Sequence, residues 1–197
     1  MLVLLIAAGA LSVCGFGARE QPSPTPTSTP TATPTPTPRD LTGVPEACRS
    51  SVHGVAFAEG SLGTRVREAN AWSAEHPGET GSLVVTDDVM RDAAAREDWS
   101  VPVRDIAVTT DDAGFHLSAT ASVFGRYTIR ALLVPQAVDG TLRISVRDLD
   151  TGGLPAFIRP AVESAIASAT DTSRWGLRLT VDGVTTRQGC AVVWGRG

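Results

Sequence analysis

A tract of alternating proline and small hydroxyl residues, from Pro22 to Pro38, divides this chain into two unlike parts. Each proline lacks an amide donor and has a fixed φ angle, so the tract excludes both helix and sheet. Such segments are extended, semi-rigid spacers that rise about 3.1 Å per residue. We therefore expect a disordered stalk over residues 21–40 and one globular domain over residues 41–197. A ligand for an SH3-type domain or an O-glycosylated stalk is the alternative interpretation of the tract.

An apolar run from Leu2 to Ala18 precedes the stalk and contains Cys14. Its first residues form an apolar core of the length found in signal peptides, about 7–15 residues. The segment Leu11-Ser12-Val13-Cys14 is similar to the lipobox of bacterial lipoproteins, in which the cysteine carries the lipid, although Val13 replaces the usual small residue. Cys14 is therefore the candidate lipid-attachment residue.

An uncleaved anchor helix with an incidental cysteine is the second interpretation of this run. As a helix, residues 2–18 would span about 25 Å, slightly less than a hydrocarbon core of about 30 Å. Under both interpretations, residues 1–20 are a signal peptide or a membrane anchor. We therefore expect an extracytoplasmic, membrane-anchored protein, either a bacterial lipoprotein or a signal-anchored protein.

Two cysteines lie in the domain, Cys48 near its start and Cys190 near its end. Because a protein outside the cytoplasm folds under oxidising conditions, we expect these two cysteines to form a disulfide. A catalytic or metal-binding role is disfavoured, since no pattern of further thiols or histidines supports it.

Composition and motifs argue against several classes of function. The formal net charge is −4, and arginines and acids are mixed along the sequence without a basic cluster, so nucleic acid is not an expected partner. The chain has no lysine, which excludes Schiff-base chemistry and a P-loop. His53, His76 and His116 are far apart, and neither an HExxH motif nor a Gly-x-Ser-x-Gly motif occurs. We therefore predict no catalytic residue, no metal site and no cofactor, in a protein that is not an enzyme.

Hydrophobic periodicity predicts the helices and strands of the domain. The helices are predicted at residues 62–75, 88–97 and 155–169. The strands are predicted at residues 82–86, 103–109, 115–123, 127–136, 141–149, 175–185 and 189–194. The fold class is therefore α+β, with a curved and mainly antiparallel β-sheet and three helices packed on one face.

One predicted strand, over residues 127–136, is apolar on both faces. Leu132 and Val134 lie on the side opposite Leu133 and Ile129. An apolar residue on the face expected to be wet is either part of the core, in a second contact with a helix, or the wall of a groove. The pattern alone favours core.

Several turn and cap segments occur in an order that resembles a known family. These are the segments 82–90, 101–106, 139–140, 152–155 and 181–184. Their order is similar to that of the LmeA-like phospholipid-binding proteins, a family of exported bacterial lipid-binding domains. The resemblance covers about residues 80–195. The chain departs from the family pattern at Asp87-Asp88 and Met90, where the family usually has Glu and Leu, and near Cys190.

The resemblance implies binding of phospholipid, or of another acyl-chain ligand, in an apolar groove of a curved sheet. The two-faced strand supplies the candidate groove residues, which are Tyr127, Ile129, Leu132, Leu133 and Val134. The alternative is a non-enzymatic cell-envelope interaction module that binds a protein or polymer without bound lipid. A carrier predicts an apolar cleft between sheet and helices, whereas a module predicts a filled core and a surface patch.

Overall fold

The computed structural model describes residues 40–97, 99, 102–122 and 125–197, and in this part of the chain a run of four consecutive strands separates two regions that contain both helices and strands. The strands are β1 (Val55–Phe57), β2 (Thr80–Thr86), β3 (Val103–Asp111), β4 (Gly114–Ser122), β5 (Arg126–Val138), β6 (Thr141–Asp150), β7 (Thr180–Arg187) and β8 (Cys190–Arg196). The helices are α1 (Glu46–Arg49), α2 (Leu62–Glu75), α3 (Asp87–Ala95) and α4 (Arg159–Ala169). Residues 1–39, which include Cys14 and the predicted anchor, lie outside the described residues.

The first sheet has the strand order β1-β2-β8-β7. Its β1 and β2 are parallel, whereas β8 is antiparallel to both β2 and β7. Each residue of β2, from Thr80 to Thr86, has a partner in β8. The sheet therefore joins the start of the domain to its last strand.

The second sheet is an antiparallel meander with the strand order β3-β4-β5-β6. The turn between β5 and β6 has Asp139 and Gly140 at φ angles of 51° and 73°. Two consecutive positive φ angles give a two-residue hairpin turn that matches the twist of the flanking strands. In the turn between β3 and β4, the Asp111 carboxylate accepts a hydrogen bond of 2.8 Å from the Ala113 amide. Both turns are thus encoded locally.

Local signals also set the ends of the helices. The Ser61 hydroxyl accepts a hydrogen bond from the Thr64 amide at 3.3 Å and caps the start of α2. Asp87 and Asp88 lie in the first turn of α3, where carboxylates favour the positive end of the helix dipole. Pro160 lies in the first turn of α4, where its missing amide donor costs nothing.

The main core lies between the helices and the inner faces of the two sheets. Leu83, Ile129, Val162 and Ile166 are among its most buried side chains, with at most 1% exposed. A smaller cluster covers the other face of the first sheet. Its buried members are Val44, Cys48, Val52, Ala58, Val84, Cys190 and Val192. The first sheet is therefore covered on both faces.

The α+β class and the mainly antiparallel pairing are confirmed by this architecture. The strands are shared between two sheets because β8 pairs with β2 and β7, whereas the meander pairs only with itself. Helix α4 begins at Arg159 rather than at residue 155, since residues 151–158 form successive tight turns. A 3-10 helix at Thr172–Trp175 takes the place of the predicted start of the strand at residue 175.

Within the described ranges, none of the helices has the length and apolar character needed to cross a bilayer.

The predicted disulfide between Cys48 and Cys190 is confirmed. It joins α1 to the first residue of β8, and both cysteines are fully buried in the smaller cluster. The two residues are 142 positions apart in the sequence. Closing so long a loop lowers the entropy of the unfolded chain, which corresponds to about 5 kcal/mol in the chain-entropy model.

We predict that replacing both cysteines, by Cys48→Ala and Cys190→Ala, lowers the free energy of unfolding by about 2–5 kcal/mol. Urea denaturation followed by circular dichroism measures this difference. Reduction of the unaltered protein should produce a similar loss and leave the double variant unchanged. An unfolding midpoint of the unaltered protein that does not move on reduction would contradict the prediction.

Candidate functional site

An apolar cavity of about 480 Å³ lies between the second sheet and the helices. Its floor is the inner face of the meander, where Val108, Leu117, Leu133 and Ile144 come from four adjacent strands. Alternation along each strand places these side chains on the inner face. The floor is therefore continuous across the sheet.

Helix α3 forms one wall of the cavity. Val89, Met90, Ala93 and Ala94 are spaced as one apolar stripe of a helix, and all four line the cavity. Trp99 extends this wall, and its indole Nε1 donates a hydrogen bond of 2.7 Å to the Ala94 carbonyl. The polar end of this tryptophan is thus satisfied by backbone, and its ring is available to the cavity.

The opposite wall comes from the end of α4 and from the 3-10 helix that follows it. Ile166 and Ala169 of α4 line the cavity together with Trp175. Residues 60–63, at the start of α2, close a further side. The cavity therefore lies where α3, the start of α2 and the end of α4 meet over one sheet.

Charged residues form the rim of the cavity. They are Asp88, Asp92, Arg96 and Glu97. Asp88 forms an ion pair with Arg91 at 2.6 Å, and Glu97 forms one with Arg174 at 3.4 Å. An apolar interior with a rim of both charge signs suits a ligand that has an apolar body and a polar end.

A buried arginine holds the loop beside the cavity in place. Arg65 donates one hydrogen bond to the Gly60 carbonyl at 2.9 Å and another to the Val84 carbonyl at 2.6 Å. Burial lowers the pKa of its guanidinium, while the nearby charges of Glu59 and Glu68 act in the opposite direction. Arg65 therefore ties Gly60, just before α2, to strand β2.

A second cavity of about 440 Å³ adjoins the first, beside the start of β6 and of β7. Ile144, Thr170 and Trp175 line both cavities. Trp175 ends the 3-10 helix, which is capped by Asp171 through a hydrogen bond of 3.1 Å from the Ser173 amide. Hydrogen bonds from the Ser173 hydroxyl and amide hold the pKa of Asp171 below its ordinary value. Trp175, at the end of this capped turn, is thus one of the residues that the two cavities share.

The candidate groove residues of β5 are divided between the two faces of the second sheet. Leu133 lines the cavity, and Ile129 lies deeper in the same core with 1% of its surface exposed. Tyr127 is half-buried and packs against that core. Leu132 and Val134 are half-buried on the outer face of the sheet. The structure therefore brings three of the five to the core side.

Most of the cavity lining was not among the residues singled out from sequence. The stripe on α3 was a detectable signal, since four small or apolar residues recur at helical spacing. Trp99 and Trp175 stand in no sequence pattern that would mark them as cavity residues. Their meeting over the meander depends on contacts between segments far apart in the chain.

In the described part of the chain, no group of three or more histidine, cysteine or acidic residues could hold a metal ion. His53 packs on Trp194 with ring centroids 4.6 Å apart, and His76 stacks on Trp72 at 5.0 Å. His116 forms an ion pair with Asp111 at 2.9 Å when it is protonated. Each histidine thus has a structural neighbour.

Comparison with known proteins gives no assignment, since the chain matches no protein-family model, no curated protein and no solved structure. The resemblance to the LmeA-like family therefore stays a prediction from sequence. The cavity itself must carry the argument about function.

We predict that Arg65→Ala and Arg65→Lys both lower the free energy of unfolding, by about 1–3 kcal/mol for each buried carbonyl left without its donor. A lysine cannot replace the fork of an arginine, so it should rescue only part of the loss.

Urea denaturation measures the effect of these substitutions. The matched control is Arg67→Ala, because Arg67 is exposed on the same helix and donates only to the Thr64 hydroxyl at 3.2 Å. The control should change stability by no more than about 0.5 kcal/mol. Equal losses for Arg65→Ala and Arg67→Ala would exclude an anchoring role for Arg65.

Proposed function

We propose that residues 41–197 bind a phospholipid, or another ligand with an acyl chain, in the apolar cavity between the second sheet and the helices. In this proposal the domain is held outside the cytoplasm by a membrane-anchored stalk. The observation that carries the proposal is the cavity of about 480 Å³. Small-molecule sites have volumes of about 300–1,000 Å³ and mostly apolar linings with a few polar groups.

The chemistry of the lining favours an acyl chain over a polar ligand. Leucine, valine, isoleucine, methionine and tryptophan side chains make up the interior, and the charged groups stay at the rim. Each methylene group moved from water into such surroundings contributes about 0.8 kcal/mol. A ligand that placed its chain inside and its polar head at the rim would satisfy both parts of the site.

Two features of the sequence support the same proposal. The resemblance to LmeA-like proteins implies a phospholipid ligand, and the apolar run with Cys14 would keep the domain near a membrane. The alternative, an envelope interaction module without bound lipid, needs a filled core. A cavity lined by Leu117, Leu133 and Trp99 favours the carrier.

We predict that the full chain, purified from a membrane extract, carries a stoichiometric lipid adduct in native mass spectrometry. Ala94→Phe should lower the affinity for added phospholipid by at least about tenfold, because the new ring would displace several methylene groups of the ligand. Ala95→Phe is the matched control, since Ala95 is the next residue of α3, is exposed and does not line the cavity.

Both variants should have similar thermal unfolding midpoints, which separates loss of binding from loss of folding. Absence of any adduct after incubation with mixed lipids would exclude the carrier. Equal lipid binding by the two variants would place the ligand outside this cavity.

A further inference from the structure

The outer face of the second sheet gathers five arginines. They are Arg104 of β3, Arg126 and Arg130 of β5, and Arg143 and Arg147 of β6. Ile129, Ala131 and Leu133 point into the core, so the alternating positions Arg126 and Arg130 point outward. The strand register places Arg147 opposite Leu132 and Arg104 opposite Thr120, on the same side. We call these five exposed arginines and the residues between them the basic face.

The arginines of the basic face have no ion-pair partner among the described residues. The ion pairs in the described part of the chain involve other basic residues, which are Arg91, Arg174, Arg187, Arg196 and His116. This pattern leaves the charges of the basic face free to meet an external anion.

Four carboxylates lie on or beside the basic face with its five arginines, and they are Asp105, Asp111, Asp148 and Asp150. Asp150 lies opposite Arg130 in the register and accepts a hydrogen bond from the Gly152 amide at 2.8 Å. Asp148 lies beside Leu132 at a shallow depression of about 300 Å³. Asp111 contacts the His116 imidazole at 2.9 Å near the turn between β3 and β4, and Asp105 directly follows Arg104 where the register of β3 shifts. The basic face therefore carries an excess of positive charge on a chain whose net charge is −4.

Apolar side chains lie between these arginines. Leu132 and Val134 are half-buried on the basic face, opposite Arg147 and Ser145. Arginine stems are themselves apolar and can cover such residues while the guanidinium stays in a polar layer. Guanidinium groups bind phosphate through two parallel hydrogen bonds. The basic face thus combines guanidinium groups with aliphatic side chains. A membrane surface combines phosphate groups with aliphatic chains beneath them, so the two surfaces are complementary.

We propose that the basic face docks on an anionic lipid surface. Charge complementarity carries the proposal, because each arginine near an anionic membrane contributes about 1 kcal/mol of attraction, or about a fivefold gain in binding. Binding of single-stranded nucleic acid relies on aromatic stacking platforms. No tryptophan, tyrosine or phenylalanine points outward from the described positions of the four strands.

The docking surface and the cavity use opposite sides of one sheet. Leu117 and Leu133 line the cavity, whereas their neighbours His116 and Leu132 lie on the outer side. Docking would thus leave the rim of the cavity turned away from the bilayer. The proposal does not depend on what the cavity binds, and each can fail without the other.

The test measures partitioning of the full chain onto vesicles of phosphatidylcholine alone and onto vesicles with phosphatidylglycerol added. The variant combines Arg126→Gln, Arg130→Gln and Arg147→Gln. We expect partitioning onto phosphatidylglycerol vesicles to fall about a hundredfold, as the product of three fivefold effects, and partitioning onto phosphatidylcholine vesicles to stay unchanged. The difference should shrink in high salt, because the screening length falls from about 10 Å at 0.1 M to about 3 Å at 1 M.

The matched control carries the same loss of charge elsewhere, as Arg67→Gln, Arg159→Gln and Arg178→Gln. These three arginines are exposed and lie outside the second sheet. The apolar run near the N-terminus is present in every variant, so its contribution cancels in the comparison. We expect the control to bind phosphatidylglycerol vesicles within about threefold of the unaltered protein, which is less than the effect of one docking arginine.

Three outcomes would overturn the proposal. One is equal binding of the unaltered protein to both kinds of vesicle, and another is an equal loss in the two triple variants. The third is displacement from the vesicles by a single-stranded oligonucleotide at an equal phosphate concentration, which would make the basic face a polyanion site. Lipid loading in native mass spectrometry should be the same for both triple variants, which keeps this test separate from that of the cavity.

Discussion

The pairing of β2 with β8 is the interaction on which the rest of the domain depends. Leu83, Val84 and Val85 face Val193, Val192 and Ala191 in register, and all six have at most 2% of their surface exposed. One side of this pair faces the main core, and the other faces the cluster around the disulfide. Because the two strands are about a hundred residues apart, the pair forms only when both ends of the domain are present.

The second sheet differs from the first in its burial, because the core covers only its inner face. Alternation along β4 and β5 directs Leu117 and Leu133 into the cavity and His116 and Leu132 outward. A change of one residue in register would exchange the two faces. The two-residue turn at Asp139-Gly140 sets the register of β5 against β6. The same turn thus sets which residues of β6 face the cavity, such as Ile144, and which face outward, such as Arg147.

Local patterns in the sequence were sufficient for most of the helices and strands but not for the site. Helix α2 and the meander were predictable because their periodicity and turn residues are encoded within short windows. Strand β1 was missed, since Val55–Phe57 is too short for a pattern and pairs with β2 across a helix. The cavity was missed for a similar reason, because Ala94, Ala169 and Trp175 meet only in the folded chain. The arginines of the basic face are likewise separated in sequence by apolar residues.

The first sheet and the part of the domain around the cavity differ in how tightly they are packed. An open apolar cavity lacks the packing contacts of a filled core, so the structure around it is held less tightly. The first sheet compensates for this through two buried faces and the Cys48–Cys190 bridge. Arg65 connects these two parts, because it bonds to Val84 in the first sheet and to Gly60 beside the cavity. The first sheet therefore fixes one wall of the cavity through Arg65.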